Sequence, residues 1–547
     1  MPSPASSLRA PLLWLLLPFM GGLTVAWLRP PPALGLWPLI IVAGGMALAG
    51  LVATARHHFR LGRAAIVLAA GLGGCAYLHL RHPQLHDLEA RPPREITVTI
   101  EVLHSFPVSS RNRSLSGLGL IVAAGEYDRA LVGRRIYFSA IRRVSVPPCR
   151  AGRYLISGVL DSLPRQPAGA GFNDYLRNLG IRQRLIRARV VSETAAPGWF
   201  ASFCTRTQGR LEGSLRHGLE RHPEIASLYL AMLLGEKAVL SADQQNAFMR
   251  SGTFHIFSIS GLHVGVIATA LQSLFLLLRV PRRPGVLVTL GVLWLYVQVT
   301  GAGTPALRAF LMIGFFLGAK YFHLPGNSLA ALSAAALATL LIDPVQLFST
   351  GFQMSYAVVA ALILMGAPLA ENWLARWQPF ALRPRPEWRA WHHSIAWLGR
   401  QVIGGAAGCW AAFLASAASG IGFFGVLSPG SLPANLVIIP LSSLALIAGF
   451  VSLLAGLAGL VPLCALFNAG AAVTLLATDW LIQHGTALPG VYLPAHFRAD
   501  WLAPTALVLM TGVMLAGASG RWSARFGGYW PPVVVLALLL IFGVKFG

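Results

Sequence analysis

A short stretch of the chain, FHIFSISGLHVG (254–265), places imidazole and hydroxyl groups at the head of a long apolar block. A polar group that enters hydrocarbon without a partner costs on the order of 2–7 kcal/mol, so such residues usually face other helices or a water-filled path. Glycine in the same stretch lets a backbone approach closely or breaks a helix. We therefore predict that the stretch lines a route for a polar polymer through a membrane. The predicted lining residues are His255, Ser258, Ser260, Gly261 and His263.

One arginine stands a single turn inside a predicted helix of the segment TGAGTPALRAF (300–310). Pro305 suits the first helical position, and Arg308 follows it within the first turn. A cation there opposes the helix dipole. Arg308 therefore needs an anionic ligand, a buried partner, or a path along which its side chain snorkels to the interface.

Three further polar residues lie near the predicted starts of spans. Gln353 and Ser355 open one span, and Asn435 follows the SPGSLPA segment that begins another. Alone, each is more typical of a hydrogen bond between helices than of a pore. Because all of them lie near predicted outer span ends, we add Arg308, Gln353, Ser355 and Asn435 to the predicted lining.

Two other functions fit parts of this pattern. In a membrane enzyme that acts at the outer face, such as a glycan ligase or a hydrolase, His255 and Ser258 would be base and nucleophile. The spans contain few carboxylates to support them, and neither Asp343 nor Asp479 has an evident link to His255. A small-solute transporter would be expected to show inverted repeats, and the sequence shows none. We predict no catalytic residue and no cofactor.

The composition is that of an integral membrane protein. Of 547 residues, 55% are hydrophobic and 11% charged, whereas soluble proteins have about 25% charged residues. The formal net charge is +24, and only Lys237, Lys320 and Lys545 are lysines, so arginine dominates. The five cysteines form no C-x-x-C pair, so we predict no metal site. The expected fold is a polytopic α-helical membrane protein with about 12–13 transmembrane helices and an inserted small extracytoplasmic OB-like β-barrel.

Residues 1–80 are predicted to contain three transmembrane helices. A basic loop at 56–63 is predicted to be cytoplasmic, so the third helix would end outside. His79, His82 and His86 lie near that end. They are more typical of a polar rim at the interface than of a metal site.

Residues 92–195 change to a two-residue periodicity, as in ITVTIEVL (96–103), which is typical of β-strands. A small barrel would remove exposed strand edges, and OB barrels commonly hold single-stranded nucleic acid. The predicted DNA-binding residues are Arg134, Arg135, Arg142 and Arg143. A solvated basic surface is the alternative reading. The candidates for base stacking are Phe106, Tyr127, Tyr137 and Phe138, and a disulfide between Cys149 and Cys204 is predicted.

Residues 203–252 are predicted to form amphipathic connector helices, and residues 253–547 a transmembrane channel domain of about ten spans. Within the connector, Ser241 and Gln244 form a capping-box pattern, and Gly252 is a predicted helix stop.

Four segments occur in an order that resembles the competence domain of the ComEC family: FHIFSISGLHVG, TGAGTPALRAF, DPVQLFSTGFQMSYA and SPGSLPANLVIIPL. Upstream, GFNDYLRNLGI (171–181) is similar to the phrase that closes the family's OB-like domain. The resemblance implies a multi-pass channel of the bacterial cytoplasmic (inner) membrane that takes up single-stranded DNA during natural transformation.

The resemblance also implies partners. Besides single-stranded DNA and membrane lipid, we expect an extracytoplasmic DNA receptor and a homo-oligomer. Many family members end in a metallo-β-lactamase-like nuclease domain with an H-x-H-x-D-H motif, and that motif is not found in this sequence. We therefore expect a separate nuclease to degrade the second strand.

Overall fold

The computed structural model describes residues 10–28, 36–82, 92–106, 114–141, 151–163, 172–235, 240–257, 259–324, 326–380, 385–499, 501–523 and 527–546. The chain divides into two compact units. The first contains Met1–Pro167, Gly171–Thr207 and Trp294–Phe352, and the second contains Ala168–Ala170, Gln208–Leu293 and Gln353–Gly547.

The first unit carries a closed five-stranded barrel with the strand order β1-β2-β3-β5-β4. Neighbouring strands are antiparallel except β3 and β5, which are parallel. A short helix, α4 (Phe172–Asn178), lies between β4 and β5 in the chain. The strands are β1 (Arg94–Phe106), β2 (Ser114–Ala124), β3 (Arg135–Ile141), β4 (Arg153–Ser162) and β5 (Gln183–Ala195).

Alternation along the strands builds the barrel core. Ile96, Val98, Ile100 and Val102 of β1 all point inward, where they pack with Phe138 of β3. Burying such a side chain stabilises the fold by about 1.5–3 kcal/mol. The predicted OB-like barrel is therefore confirmed as a closed five-stranded barrel.

The sequence shows strand-like runs that correspond to β1 to β4 and misses β5; the runs are residues 96–103, 118–123, 135–140 and 154–160. Arg187 in the middle of β5 has φ +50°, and the pairing of β3 with β5 shifts by one residue at that point. The bulge breaks the simple alternation of inward and outward residues, so the two-residue pattern is lost.

The helices of the first unit pack closely through glycine. The helices α1 (Leu13–Leu28) and α2 (Leu36–Ala55) both lie against α3 (Phe59–Arg81). A Cβ atom added to Gly22 of α1 would lie 1.9 Å from the carbonyl oxygen of Gly71 of α3, so no larger residue fits at this contact. This unit also contains α10 (Thr304–Tyr321) and α11 (Ser328–Ile342), which pack against each other.

The helix α15 (Ser431–Leu457) packs against several helices of the second unit. These partners are α6 (Pro223–Leu234), α8 (Gly261–Leu277), α14 (Ala390–Ser419) and α16 (Val461–Thr486), of which the last two flank it in the sequence. A three-stranded sheet of β6 (Val426–Leu427), β7 (Leu493–Phe497) and β8 (Val544–Phe546) joins three separate segments. The remaining helices are α5 (Trp199–Arg216), α7 (Ala242–Arg250), α9 (Arg282–Val299), α12 (Thr350–Ala361), α13 (Ala367–Arg376), α17 (Leu502–Ser519) and α18 (Pro531–Leu538).

Within the described residues, seven helices are long and apolar enough to cross a membrane, and five shorter apolar helices accompany them. The chain is thus a multi-pass membrane protein, as the composition predicts. The total of about 12–13 spans stays a prediction. The seven long helices are Leu36–Ala55, Phe59–Arg81, Thr350–Arg376, Ala390–Phe424, Ser431–Leu457, Val461–Thr486 and Leu502–Ser519.

Candidate functional site

The stretch FHIFSISGLHVG does not form one continuous helix. A 3-10 turn covers Phe254–Phe257, and α8 begins at Gly261, with Ser260 as its N-cap. The backbone N–H of Ser260 donates to Nδ1 of His263 over 3.3 Å, and the Ser260 hydroxyl lies 3.1 Å from the same nitrogen. Nδ1 therefore accepts, and the neutral ring carries its proton on Nε2. The fully buried His263 thus stabilises the start of α8.

The residues just before this stretch are in contact with the start of α15, and α8 packs against the same helix. Gly252, at φ +72°, ends the preceding turn, and an added Cβ would lie 2.9 Å from Cβ of Ser431. The hydroxyl of Ser428 donates to the carbonyl of Arg250 over 3.1 Å. The segments FHIFSISGLHVG and SPGSLPAN, more than 160 residues apart in the chain, therefore belong to one region of the second unit.

Other predicted lining residues of the second unit have mixed surroundings. His255 is exposed, and Gly261 has open space beside its Cα. Asn435 lies in the second turn of α15, and its Oδ1 is buried without a hydrogen-bond partner among the described residues. Ser258 lies outside the described residues.

Arg308 is buried within the first unit. Its side chain is 3% exposed, so it does not snorkel to the interface. A Cβ added to Gly351 would lie 2.9 Å from Nη2 of Arg308, so the guanidinium covers the first turn of α12. Gln353 and Ser355 follow in the same helix and are half-buried. The segments TGAGTPALRAF and DPVQLFSTGFQMSYA therefore meet at one contact.

Asp343 is a site residue that the sequence did not indicate. Its Oδ2 accepts a hydrogen bond from Nη1 of Arg135 at 2.8 Å, and its Oδ1 lies 3.4 Å from Nε2 of His82. Burial raises the pKa of the Asp343 carboxyl, but the hydrogen bonds and charges of His82 and Arg135 outweigh it and hold the pKa well below its usual range. Arg135, predicted to bind DNA, thus has a carboxylate partner.

Four rings form one cluster on the outside of the barrel, which we call the aromatic face: Phe106, Tyr137, Phe172 and Tyr175. The centroid of Phe172 lies 5.2 Å from that of Tyr137 and 6.0 Å from those of Phe106 and Tyr175. Phe172 is 49% exposed and Tyr175 is 44% exposed. Of the other rings predicted to stack on bases, Phe138 is wholly buried in the barrel core and Tyr127 is 96% exposed.

The aromatic face occupies the position where OB barrels bind their ligands. Phe106 ends β1, Tyr137 lies on β3, and α4 belongs to the connection between β4 and β5. In OB folds the face of strands 2 and 3 and the loops joining strands 1–2 and 4–5 bind oligonucleotides and oligosaccharides. The arrangement is therefore suited to a ligand with flat rings.

Several barrel arginines are paired with carboxylates. Besides Arg135, these are Arg94 with Asp128, Arg153 with Glu101 at 3.2 Å, and Arg184 with Asp161 at 2.7 Å. Arg187 and Arg189 are exposed on β5, and Arg134 donates to the carbonyl of Ala130 at 3.0 Å. Arg142, Arg143 and Cys149 lie outside the described residues, and Cys204 is buried in α5.

Two clefts open on the second unit, and neither contains a predicted lining residue. One, of about 470 Å³, is lined by His393, Ser394, Trp397 and Leu398, and the other, of about 370 Å³, lies beside Arg210. In the part of the chain that the structure describes, no group of three or more His, Cys, Asp or Glu residues could hold a metal ion.

A family model described as "Competence protein" matches residues 232–522. ComE operon protein 3 of Bacillus subtilis is 33% identical over 142 residues, which are 26% of this chain and 18% of that protein. Competence protein ComA of Neisseria gonorrhoeae is 32% identical over 166 residues, 28% of this chain and 23% of the relative. Recombination protein 2 of Haemophilus influenzae is 26% identical over 174 residues, 30% and 22% of the two chains.

The matched segments thus span about a fifth of each of these relatives. No solved structure matches this chain.

Proposed function

This chain belongs to the competence protein family of membrane proteins, and from that premise we propose that it carries single-stranded DNA across the bacterial cytoplasmic membrane into the cytoplasm during natural transformation. In this proposal the barrel receives the strand outside the membrane, and the polar residues of the apolar helices accompany it inward. The nuclease, the extracytoplasmic receptor and a homo-oligomer belong to the same proposal as partners.

The observation that carries the proposal is the aromatic face beside exposed arginines. Every base has a flat π-surface, and stacking on an aromatic side chain contributes about 1–3 kcal/mol per base without regard to sequence. In the barrel register Tyr137 pairs with Arg184, and the exposed Arg187 and Arg189 follow along β5. Rings for bases next to cations for phosphates are the features a single strand needs.

The described residues of the membrane part supply weak contacts and a buried cation. A conduit must bind its substrate loosely and at several points, because tight binding would stop transit. Ser260, His263 and Asn435 offer neutral polar groups in the second unit, and Arg308 offers a charge for phosphate in the first. Uncharged contacts combined with a cation bind a polyanion weakly enough that it can pass through the route.

The contact between Ser260 and His263 also has the composition of a nucleophile and its base. However, Nδ1 of His263 already accepts the backbone N–H of Ser260, which is the geometry of a helix cap. Among the described residues, no carboxylate is hydrogen-bonded to Nε2 of His263. We therefore propose no hydrolysis at this pair.

The test is a clean deletion of the gene complemented by the full chain, with surface-bound DNA and imported DNA measured separately. Arg308→Glu should abolish import and leave surface binding and protein level intact, because it places a carboxylate where phosphate must pass. Lys320→Glu, at the other end of the same helix α10, is the matched control and should import normally. Wild-type import by Arg308→Glu would remove Arg308 from the mechanism, and normal import in the deletion strain would overturn the proposed function.

A further inference from the structure

A short turn after α11 connects the barrel to the membrane helices of the first unit. We call residues 343–349 the Asp343 turn. At its start, the Asp343 carboxylate lies between Arg135 of β3 and His82, the residue that ends α3. The Asp343 side chain is only 12% exposed, whereas that of Arg135 is 39% exposed. Burying a carboxylate that has no partner is costly. The contacts with Arg135 and His82 therefore offset part of the cost of burying the Asp343 carboxylate.

The other end of the turn makes a second connection to the barrel. Phe348 stacks on Trp27 of α1 with 4.2 Å between ring centroids, and the guanidinium of Arg182 lies 5.7 Å from the Trp27 centroid. Arg182 directly precedes β5, and α4 also lies against the turn. Since α4 carries Phe172 and Tyr175 of the aromatic face, the turn lies next to the proposed binding surface.

Hydrogen bonds continue from Asp343 to the start of α12. Nε2 of Gln346 donates to Oδ2 of Asp343 at 3.4 Å, and the Ser349 hydroxyl donates to the carbonyl of Gln346 at 2.7 Å. The same hydroxyl oxygen accepts the backbone N–H of Phe352 at 3.2 Å. The residue before Phe352 is Gly351, which Arg308 covers. One series of contacts therefore runs from barrel strand β3 to Arg308.

We propose that Asp343 is a positioning residue: it fixes the barrel, and with it the aromatic face, relative to Arg308, so that a strand held on the barrel is presented to the buried cation. This inference rests on the proposed function. It assigns to Asp343 a role in the import of single-stranded DNA and none in its capture, because Asp343 itself touches no part of the aromatic face among the contacts described.

A charge exchange tests the proposal in the full chain. Arg135→Asp and Asp343→Arg each place like charges together, and the double variant restores an opposite pair. In purified protein, each single variant should speed hydrogen–deuterium exchange of the backbone amides of residues 345–352 roughly tenfold, because the hydrogen bonds of these amides depend on the conformation of the Asp343 turn. The double variant should return most of that protection. The exposed pair Arg153–Glu101 is the matched control, and swapping its charges should leave the exchange of residues 345–352 unchanged.

The same variants are then assayed in cells for DNA capture and DNA import. Asp343→Arg should capture DNA normally, and both single variants should import at least about tenfold less. The double variant should recover import, a pattern that simple misfolding would not produce. Unchanged exchange of residues 345–352 in both single variants would overturn the proposal. So would faster exchange with undiminished import. Normal import in a deletion strain would overturn the proposed function instead, while the exchange result would still report on the Asp343 contact.

Discussion

The guanidinium of Arg308 lies directly over the α-carbon of Gly351, so closely that a single added methyl group would fall 2.9 Å from Nη2. A buried arginine on α10 and a glycine on α12 therefore share one small space. This close approach, and not the backbone angles, favours glycine at position 351, since the φ of Gly351 is not positive.

Gly351→Ala should displace Arg308 without unfolding the protein. The atom that the methyl group meets is the far end of a flexible side chain, which must shift but can do so at little cost. We expect an unchanged melting temperature. DNA import should fall about tenfold, because the Arg308 charge stabilises a phosphate less when it is displaced from its fixed position. Gly314→Ala on α10 is the control, since no atom lies within 4 Å of its added methyl group. Equal import by both variants would contradict the prediction.

Removing two rings of the aromatic face should weaken binding of single-stranded DNA. For full-length protein in nanodiscs, Tyr137→Ala with Phe172→Ala should raise the Kd of a short oligonucleotide by about 5–150-fold per lost base contact. The salt dependence of binding should stay the same, because no phosphate contact is removed. Tyr127→Ala, at an exposed ring that does not belong to the aromatic face, should bind as wild type. A loss of equal size in Tyr127→Ala would place the binding surface elsewhere.

Replacing Asn468 should destabilise the second unit. This fully buried amide donates to the carbonyls of Ser214 and His217 at 2.8 and 2.9 Å, and it accepts the hydroxyl of Tyr229 at 3.3 Å. Asn468→Ala leaves those carbonyls at the end of α5 without their donor and should cost about 1–3 kcal/mol of unfolding free energy. Tyr229→Phe removes only the longest bond and should cost about 0.5–1.5 kcal/mol. Unfolding by denaturing detergent in bicelles measures both, and a larger loss in Tyr229→Phe would contradict this reading.

The Asp343 contact should persist at mildly acidic pH. Its carboxyl has a pKa lowered by Arg135 and His82 in the folded protein, so its stabilising contribution is present above the unfolded value of about 3.9. The contribution is lost only as the pH falls through the lower folded value. The stability difference between wild type and Asp343→Asn, measured by thermal unfolding, should therefore not fall between pH 8 and 5. A difference that vanishes by pH 5 would show that another group governs the contact.

Local physics in the sequence determined the class of the protein and many of its elements. Long apolar runs form helices in lipid, because a helix pairs the backbone N–H and C=O groups of the segment with one another. The alternation of apolar and polar residues indicated four of the five barrel strands. The capping box of Ser241 and Gln244 formed as predicted, with mutual bonds of 3.2 Å, because both residues lie within one turn. The order of four polar segments identified the family.

Only the tertiary structure decided which of those polar groups meet. Arg135 and Asp343 are 208 residues apart, and no periodicity or spacing links a strand residue to the end of a distant helix. The aromatic face likewise draws its rings from β1, β3 and α4, and β5 was hidden by the bulge at Arg187. Local rules reach about four residues along a helix and two along a strand. Which charges and rings pair across the fold depends instead on how the barrel packs against its helices. Only the complete tertiary structure shows that arrangement.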